Sequence, residues 1–169
     1  MILDRRGRIF VASIIAGAIV VFVAMYIGAN RQAELLESDI NIIFADVKLK
    51  NVDNVNNALT LNVIFEVSND SNVVLTVGEI SYELSGDNQF LCKGAASFRD
   101  IPLVGRPQIF SQSKSAPIET ECVVVKSDTN SLIWDTIIND IDNIRWHVNG
   151  NGEIESSYAV IPKQFDQWL

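Results

Sequence analysis

The chain has 169 residues, of which 48% are hydrophobic and 20% charged, and its formal net charge is -8. Length and composition are those of one ordinary globular domain. Nucleic acid and anionic lipid headgroups would repel such a chain, so neither is an expected partner, although solubility is the simpler explanation of the acidity. The sequence has no Gly-rich phosphate loop, CxxC pair or HExxH motif, so we expect no enzyme activity and no cofactor.

The first long feature is an uncharged apolar run from Ile9 to Gly28, IFVASIIAGAIVVFVAMYIG. At a rise of about 1.5 Å per residue, a helix of this length spans the roughly 30 Å hydrocarbon core of a bilayer. We therefore predict a transmembrane helix over residues 9–29. A cleaved signal peptide is the alternative, because Ala24 and Gly28 are small enough for a cleavage site. The run is longer than a signal peptide requires, however, and it leads into a polar helical segment.

Charges on either side of this run predict its orientation. Arg5, Arg6 and Arg8 precede it, which is typical of a cytoplasmic end, so residues 1–8 are predicted to be a cytoplasmic tail. The protein would then be a single-pass protein of the cell membrane, with its C-terminal domain extracellular or in a periplasm-like space. Three of the 13 basic residues and one of the 21 acidic residues lie before Ile9. The remainder therefore carries 10 against 20, a charge of -10.

Small residues at helical spacing mark one face of the predicted membrane helix: Ser13, Gly17, Ala24 and Gly28. Such a stripe lets two helices approach closely, so besides the lipid bilayer other membrane or envelope proteins are expected partners. The alternative is that Ala and Gly are simply common in membrane anchors. Residues 30–39 contain good helix formers without a clear apolar face, and we interpret them as a stalk.

The domain predicted over residues 40–162 is centred on Leu59 to Leu84. Apolar and polar residues alternate in both halves of this stretch, and the polar residues 69–72 lie between them, which predicts a β-hairpin. The alternation slips by one residue at Gly78, where we expect a bulge. The other predicted elements are strands at residues 41–50, 89–98, 118–125, 143–149 and 153–161, a loop at 100–117 and a turn at 149–152. The last residues, 163–169, are predicted to form a C-terminal tail.

One helix is predicted before the last two strands. Ser127 or Asp128 would cap it, and its broad apolar face would consist of Leu132, Ile133, Trp134, Ile137, Ile138 and Ile141. The helix is too short to span a membrane and would pack on the sheets. With seven strands joined by short connections, the fold class is mainly β, a seven-stranded antiparallel sandwich plus the N-terminal helix.

The order of these features resembles a known family. A hydrophobic strand ending in an Asn-rich turn, a strand containing Ile80 to Leu84, Ile101-Pro102 with Gly105, then a strand, a helix and a Gly-bearing strand are similar to the late embryogenesis abundant group-two domain. This domain is also called the water stress and hypersensitive response domain. The resemblance covers residues 40–162, although the family's Asn-Pro-Asn turn is replaced here by a longer, proline-free turn. It implies an immunoglobulin or fibronectin-III-like sandwich, no catalytic activity, a link to desiccation tolerance, and membrane-anchored relatives in archaea and plants, of which the archaeal type suits this chain.

Few residues suggest a binding site. The single histidine, His147, lies on the polar phase of a strand, where we expect it to be solvated and not a metal ligand. Asp70, or Asp53 with its neighbouring Asn residues, could supply oxygen ligands to calcium. Neither has the spacing of an EF-hand, and turns favour Asp and Asn for backbone reasons, so no metal site is predicted.

Two covalent modifications are predicted in the outer domain. Cys92 and Cys122 both fall on the apolar phase of their strands, in a compartment that allows oxidation, so a disulfide is expected; two unpaired buried thiols are the alternative. Asn69-Asp70-Ser71 is the only glycosylation sequon, and its predicted position at an exposed hairpin tip would favour modification of Asn69.

Two functions remain open from the sequence. The first is a non-enzymatic, membrane-anchored β-sandwich related to stress or desiccation, or acting as an envelope interaction module. The second is an accessory single-pass subunit of a larger membrane complex. The stripe of small residues favours the second, as does the aromatic C-terminus, where Phe165 and Trp168 are expected to be exposed.

Overall fold

The computed structural model describes residues 5–157 and 159–169, without the side chains of residues 5–10, 29, 30, 32 and 33. The predicted cytoplasmic tail, residues 1–8, lies outside the described residues or has no described side chains. The chain divides into two compact units, one up to Leu35 and one from Leu36 to Leu169.

The first long element is a helix, α1, over Arg5–Ser38. Within it Val11–Gly28 has a mean hydropathy of 2.4 and no buried residue, and among the described residues it is the one helix long and apolar enough to cross a membrane. Helical structure continues through the predicted stalk, and Leu36 is buried in the core of the second unit. The prediction of a helix over the apolar run is thus confirmed.

The second unit is mainly β, with two antiparallel sheets around one apolar core. Its described strands are β1 Ile40–Asp53, β2 Ala58–Asn69, β3 Leu75–Gly86, β4 Gln89–Ser97, β5 Gln108–Ile109, β6 Ser113–Lys114, β7 Ile118–Val125, β8 Trp146–Glu155 and β9 Val160–Trp168. One helix, α2, covers Ser131–Asn139, and 3-10 turns cover Leu103–Gly105 and Ile141–Asn143. The structure has nine described strands where seven were predicted. The two additional strands, β5 and β6, are each two residues long and lie within the predicted loop at 100–117, where β5 pairs with β3 and β6 pairs with β2.

The predicted hairpin between β2 and β3 is wrong. β2 pairs with β1, β6 and β7 in the first sheet, whereas β3 pairs with β4, β5 and β8 in the second. Residues 70–74 therefore carry the chain across the core from one sheet to the other. Apolar alternation in consecutive strands is the same whether they lie side by side or face each other, so the pattern alone did not distinguish the two. The predicted bulge at Gly78 is confirmed by the register shift between Val77 and Glu79.

The end of the chain also differs from the prediction. β8 runs straight through residues 149–152, which were predicted to form a turn, and the chain reverses direction instead between Glu155 and Val160, where Ser156 N–H donates to the Ala159 carbonyl at 2.8 Å. Gly150 is needed for close packing, because a Cβ there would meet the Ser81 carbonyl and lie 2.6 Å from Phe165 Cζ. β9 extends to Trp168, so the predicted tail is mostly strand. Phe165 is buried, and Trp168 is exposed as expected.

Helix α2 begins later and buries less than predicted. The residue before it is Asn130, whose Nδ2 donates to the Val125 carbonyl and whose Oδ1 accepts from Ser127 N–H. Ser127 and Asp128 therefore lie before the cap. Of the predicted apolar face, Ile133, Trp134 and Ile137 are buried, Ile141 is partly buried, and Leu132 and Ile138 are exposed.

Candidate functional site

A disulfide joins the two sheets along one edge of the sandwich. The structure bonds Cys92 of β4 to Cys122 of β7, with the Cα atoms 6.0 Å apart and both residues buried. Beside it, Thr120 Oγ1 donates to the Ala95 carbonyl at 3.3 Å. β4 and β7 are terminal strands of different sheets, so these two bonds fasten strands that no backbone ladder connects.

At the opposite edge of the sandwich, the side chain of Gln167 connects β9 of the second sheet to β1 of the first. Its Nε2 donates to the Ile42 carbonyl at 2.6 Å, and its Oε1 accepts from Phe44 N–H at 2.7 Å. The side chain amide of β9 thus takes the place that a neighbouring strand would occupy beside β1. Sequence reasoning missed this residue, since a Gln in a presumed tail carries no signal for such a contact.

Asn69, predicted to be glycosylated at an exposed hairpin tip, lies in the interior of the second unit. It is fully buried, and its Nδ2 donates to the carbonyls of Val73, Ile109 and Phe110 at 2.7, 3.2 and 3.1 Å. Its Oδ1 accepts from the backbone N–H and the hydroxyl of Ser71. The amide that a glycan would need is occupied in holding the crossing between the sheets, so the expectation of an exposed tip is wrong.

Polar side chains form the outer face of the second sheet. Two shallow depressions, of about 270 and 380 Å³, lie on either side of the Asn149–Asn151 backbone. We call this the polar face; its described lining includes Ser81, Glu83, Lys93, Asn149, Asn151, Gln164 and Asp166. These groups can hydrogen-bond to a polar ligand, but the depressions are open and would exclude little water.

His147 lies at the end of the polar face and is half-buried, in contrast to the solvated position expected. Its Nε2 is 2.6 Å from Asp166 Oδ1, and its ring stacks on Trp168 at 4.2 Å between centroids. Arg145 also lies over the Trp168 ring, at 4.2 Å. The hydrogen bond from His147, aided by its charge and by Asn149, holds the pKa of the Asp166 carboxyl below its ordinary value of 3.8.

His147 and Asp166 form a histidine–carboxylate pair, an arrangement that orients the base in many active sites. A base oriented by a carboxylate activates a nucleophile only when a hydroxyl or thiol lies within hydrogen-bond reach. Among the described side-chain hydrogen bonds, the His147 ring contacts Asp166 and no Ser, Thr or Cys. The pair adds hydrogen-bonding groups to the end of the polar face.

One of the two candidate calcium positions, Asp53, is occupied by turn contacts. Asp53 accepts hydrogen bonds from the backbone N–H groups of Val55 and Asn56 and from Asn56 Nδ2, at 3.0, 3.1 and 2.6 Å. These bonds, led by that of the Asn56 side chain, lower the Asp53 pKa. Within the described part of the chain, no three His, Cys, Asp or Glu side chains form a group that could hold a metal.

The predicted helix-packing residues lie on an accessible face of the first unit. Added Cβ atoms at Gly17 and Gly28 would meet nothing within 4 Å, and Ser13 and Ala24 are exposed. This surface has room for a second helix, as the small-residue spacing indicates.

Fold and site together define an acidic, disulfide-bonded sandwich of two sheets that presents hydrogen-bonding groups. No protein-family model matches the sequence, and no curated protein matches it. Among solved structures, a structural-genomics target studied by X-ray crystallography aligns with a TM-score of 0.50 and 9% identity, over 79% of this chain and 88% of its own. This likeness shows a shared fold.

Two further solved structures align less well with this chain. A crystal structure of an Archaeoglobus fulgidus protein aligns with a TM-score of 0.44 and 15% identity, over 75% of this chain and 94% of its own. A solution structure assigned to the late embryogenesis abundant group aligns with a TM-score of 0.42 and 11% identity, over 90% of this chain and 87% of its own.

Proposed function

We propose that this chain is a membrane-anchored, extracytoplasmic and non-enzymatic β-sandwich of the late embryogenesis abundant group-two type, which contributes to tolerance of water stress at the cell surface. The observation that carries the proposal is the Cys92–Cys122 disulfide. Structural disulfides persist in oxidising compartments and are rare in the cytosol. A disulfide-bonded domain directly after the apolar Val11–Gly28 helix fits an anchor with its sandwich outside the cytoplasm.

The surface charges support a hydrated rather than a catalytic role. On the second sheet Arg99 pairs with Glu79 and Glu153, and Arg106 pairs with Glu155 at 2.7 Å. These groups compensate one another, whereas a catalytic centre keeps ionisable groups aimed at a substrate. The acidic excess left over binds water and resists association, which suits a protein that must stay soluble as water is withdrawn.

Two experiments test this function. Protease treatment of intact cells should remove the sandwich and leave the N-terminal helix behind; survival of the sandwich under conditions that digest other surface proteins would contradict the orientation. A deletion strain should survive drying or high osmolarity less well than its parent, and the full chain should restore survival. Equal survival of deletion and parent strains would refute the stress role.

A second function has its own supporting observation, the accessible small-residue stripe of the membrane helix. In this role the chain is an accessory subunit of a membrane complex. Pulldown in mild detergent followed by mass spectrometry separates the two, because a subunit would recover partners in fixed stoichiometry. Gly17→Leu should abolish that recovery, whereas a stand-alone anchor would tolerate the change.

A further inference from the structure

One end of the second unit displays a group of exposed apolar side chains. Their exposed fractions run from 48% to 89%, and their grouping at one end, rather than the exposure of any single residue, makes them a surface of interest. We call this group the apolar rim; it consists of Val74, Leu103, Val104, Phe110 and Val160.

The rim is assembled from three separate segments: the crossing at residues 70–74, the connection between β4 and β7, and the first residue of β9. Val74, Leu103 and Val104 line one depression of about 210 Å³ together with Glu155 and the turn that follows it. Val160 pairs with Glu155 across that turn, and Phe110 follows Ile109, which pairs with Leu75. Residues far apart in sequence thus bring their apolar side chains to one place.

The rim lies at the end where the chain enters the second unit. Asp39 accepts a hydrogen bond from Asp70 N–H at 2.8 Å, and the neighbouring Asn69 donates to the Val73 carbonyl, directly before Val74. The apolar run of α1 ends at Gly28 and the second unit begins at Leu36, so even a fully extended connection would measure no more than about 29 Å.

We propose that the apolar rim inserts into the boundary between headgroups and acyl chains of a lipid bilayer, a step that rests on the anchoring proposed above. A bilayer entered by α1 is an apolar surface that the short connection keeps within reach of the rim. Side chains of this kind bury themselves at the level of the headgroups. The cations beside the rim are already paired, Arg106 with Glu155 and Arg99 with Glu79 and Glu153, so the contact uses apolar burial and not attraction to anionic lipid.

The test places one fluorescent label on the rim and one at the far end of the sandwich. Val104 and Val55 are a matched pair, since both are Val and both are 89% exposed, and Val55 lies in the β1–β2 turn. Both native cysteines are in the disulfide, so Val104→Cys and Val55→Cys each add one reactive thiol. The full-length variants, labelled with bimane, go into phosphatidylcholine vesicles that contain brominated acyl chains. We expect at least about threefold stronger quenching at position 104.

Further measurements distinguish failure of the rim proposal from failure of the anchoring proposal on which it rests. Failure of the full chain to float with vesicles would overturn both. Flotation with equal quenching at both positions would overturn the rim alone, as would quenching that disappears in 0.5 M salt. Leu103→Asp should at least halve quenching at position 104 without changing the melting temperature; unchanged quenching would show that the label, and not the rim, enters the lipid.

Discussion

Reduction of the Cys92–Cys122 disulfide should lower the melting temperature of the sandwich by about 13 °C. The two cysteines are 30 residues apart, and the loop-closure entropy for such a cross-link corresponds to about 3.6 kcal/mol. Unfolding of residues 36–169 has an entropy of roughly 280 cal/mol/K at about 2.1 cal/mol/K per residue. The ratio of these two quantities gives the expected shift. Both cysteines are buried, and we expect the reduced thiols to stay packed as small apolar groups, so that the measurement isolates the cross-link.

The assay is thermal unfolding of the full chain in detergent, followed by the circular dichroism of the strands with and without a reductant. The double variant Cys92→Ala and Cys122→Ala is the control. Its melting temperature should be no higher than that of the reduced protein and should not change when the reductant is added. A shift below about 3 °C would refute the entropic argument. Two reactive thiols per chain in denatured, unreduced protein would show that the bond is not formed at all.

Three further outcomes follow from the described contacts. Gln167→Leu should lower the free energy of unfolding by about 1–3 kcal/mol in urea titrations, because two backbone groups of β1 lose their partner; Gln164→Leu, on the exposed face of the same strand, should be neutral. Gly150→Ala should cost about 1–3 kcal/mol in the same assay, and a neutral result would contradict the close packing. The Asp166 carboxyl should titrate below 3.8 by NMR, so its hydrogen bond to His147 contributes stability above that pH and loses it as pH falls through the lower folded-state pKa. His147→Phe should raise that pKa toward the ordinary value, and no change would contradict the assigned cause.

Local alternation predicted individual strands well. In β7, IETECVVV, every second residue from Ile118 to Val124 is buried and every other one is exposed, as the period of two requires. β2 follows the same rule with its buried residues from Leu59 to Asn69. The side-chain period depends only on the strand itself, which is why the sequence was sufficient here.

Pairing and burial depend on distant parts of the chain, and there the sequence misled. Asn69 has the composition of a turn, yet its amide satisfies three carbonyls that come from two segments about 40 residues apart. Gly150 also looks like a turn residue, but a side chain there is excluded by the Ser81 carbonyl and the Phe165 ring on the two neighbouring strands. In both cases the residue type is compatible with two environments, and the neighbours that decide between them are not adjacent in sequence.

The bonds that join the two sheets at both edges of the sandwich limit where this protein can pair with other chains. A sandwich ordinarily presents unpaired terminal strands, which can pair with other chains. Here β4 and β7 are joined by the disulfide, and Gln167 satisfies two backbone groups of β1 from β9. Pairing of another strand at β1 would have to displace Gln167, which disfavours edge-to-edge association of the sandwich. The surfaces left for recognition are then the polar face and the two ends of the sandwich, and the apolar rim lies at the end where the chain enters the second unit.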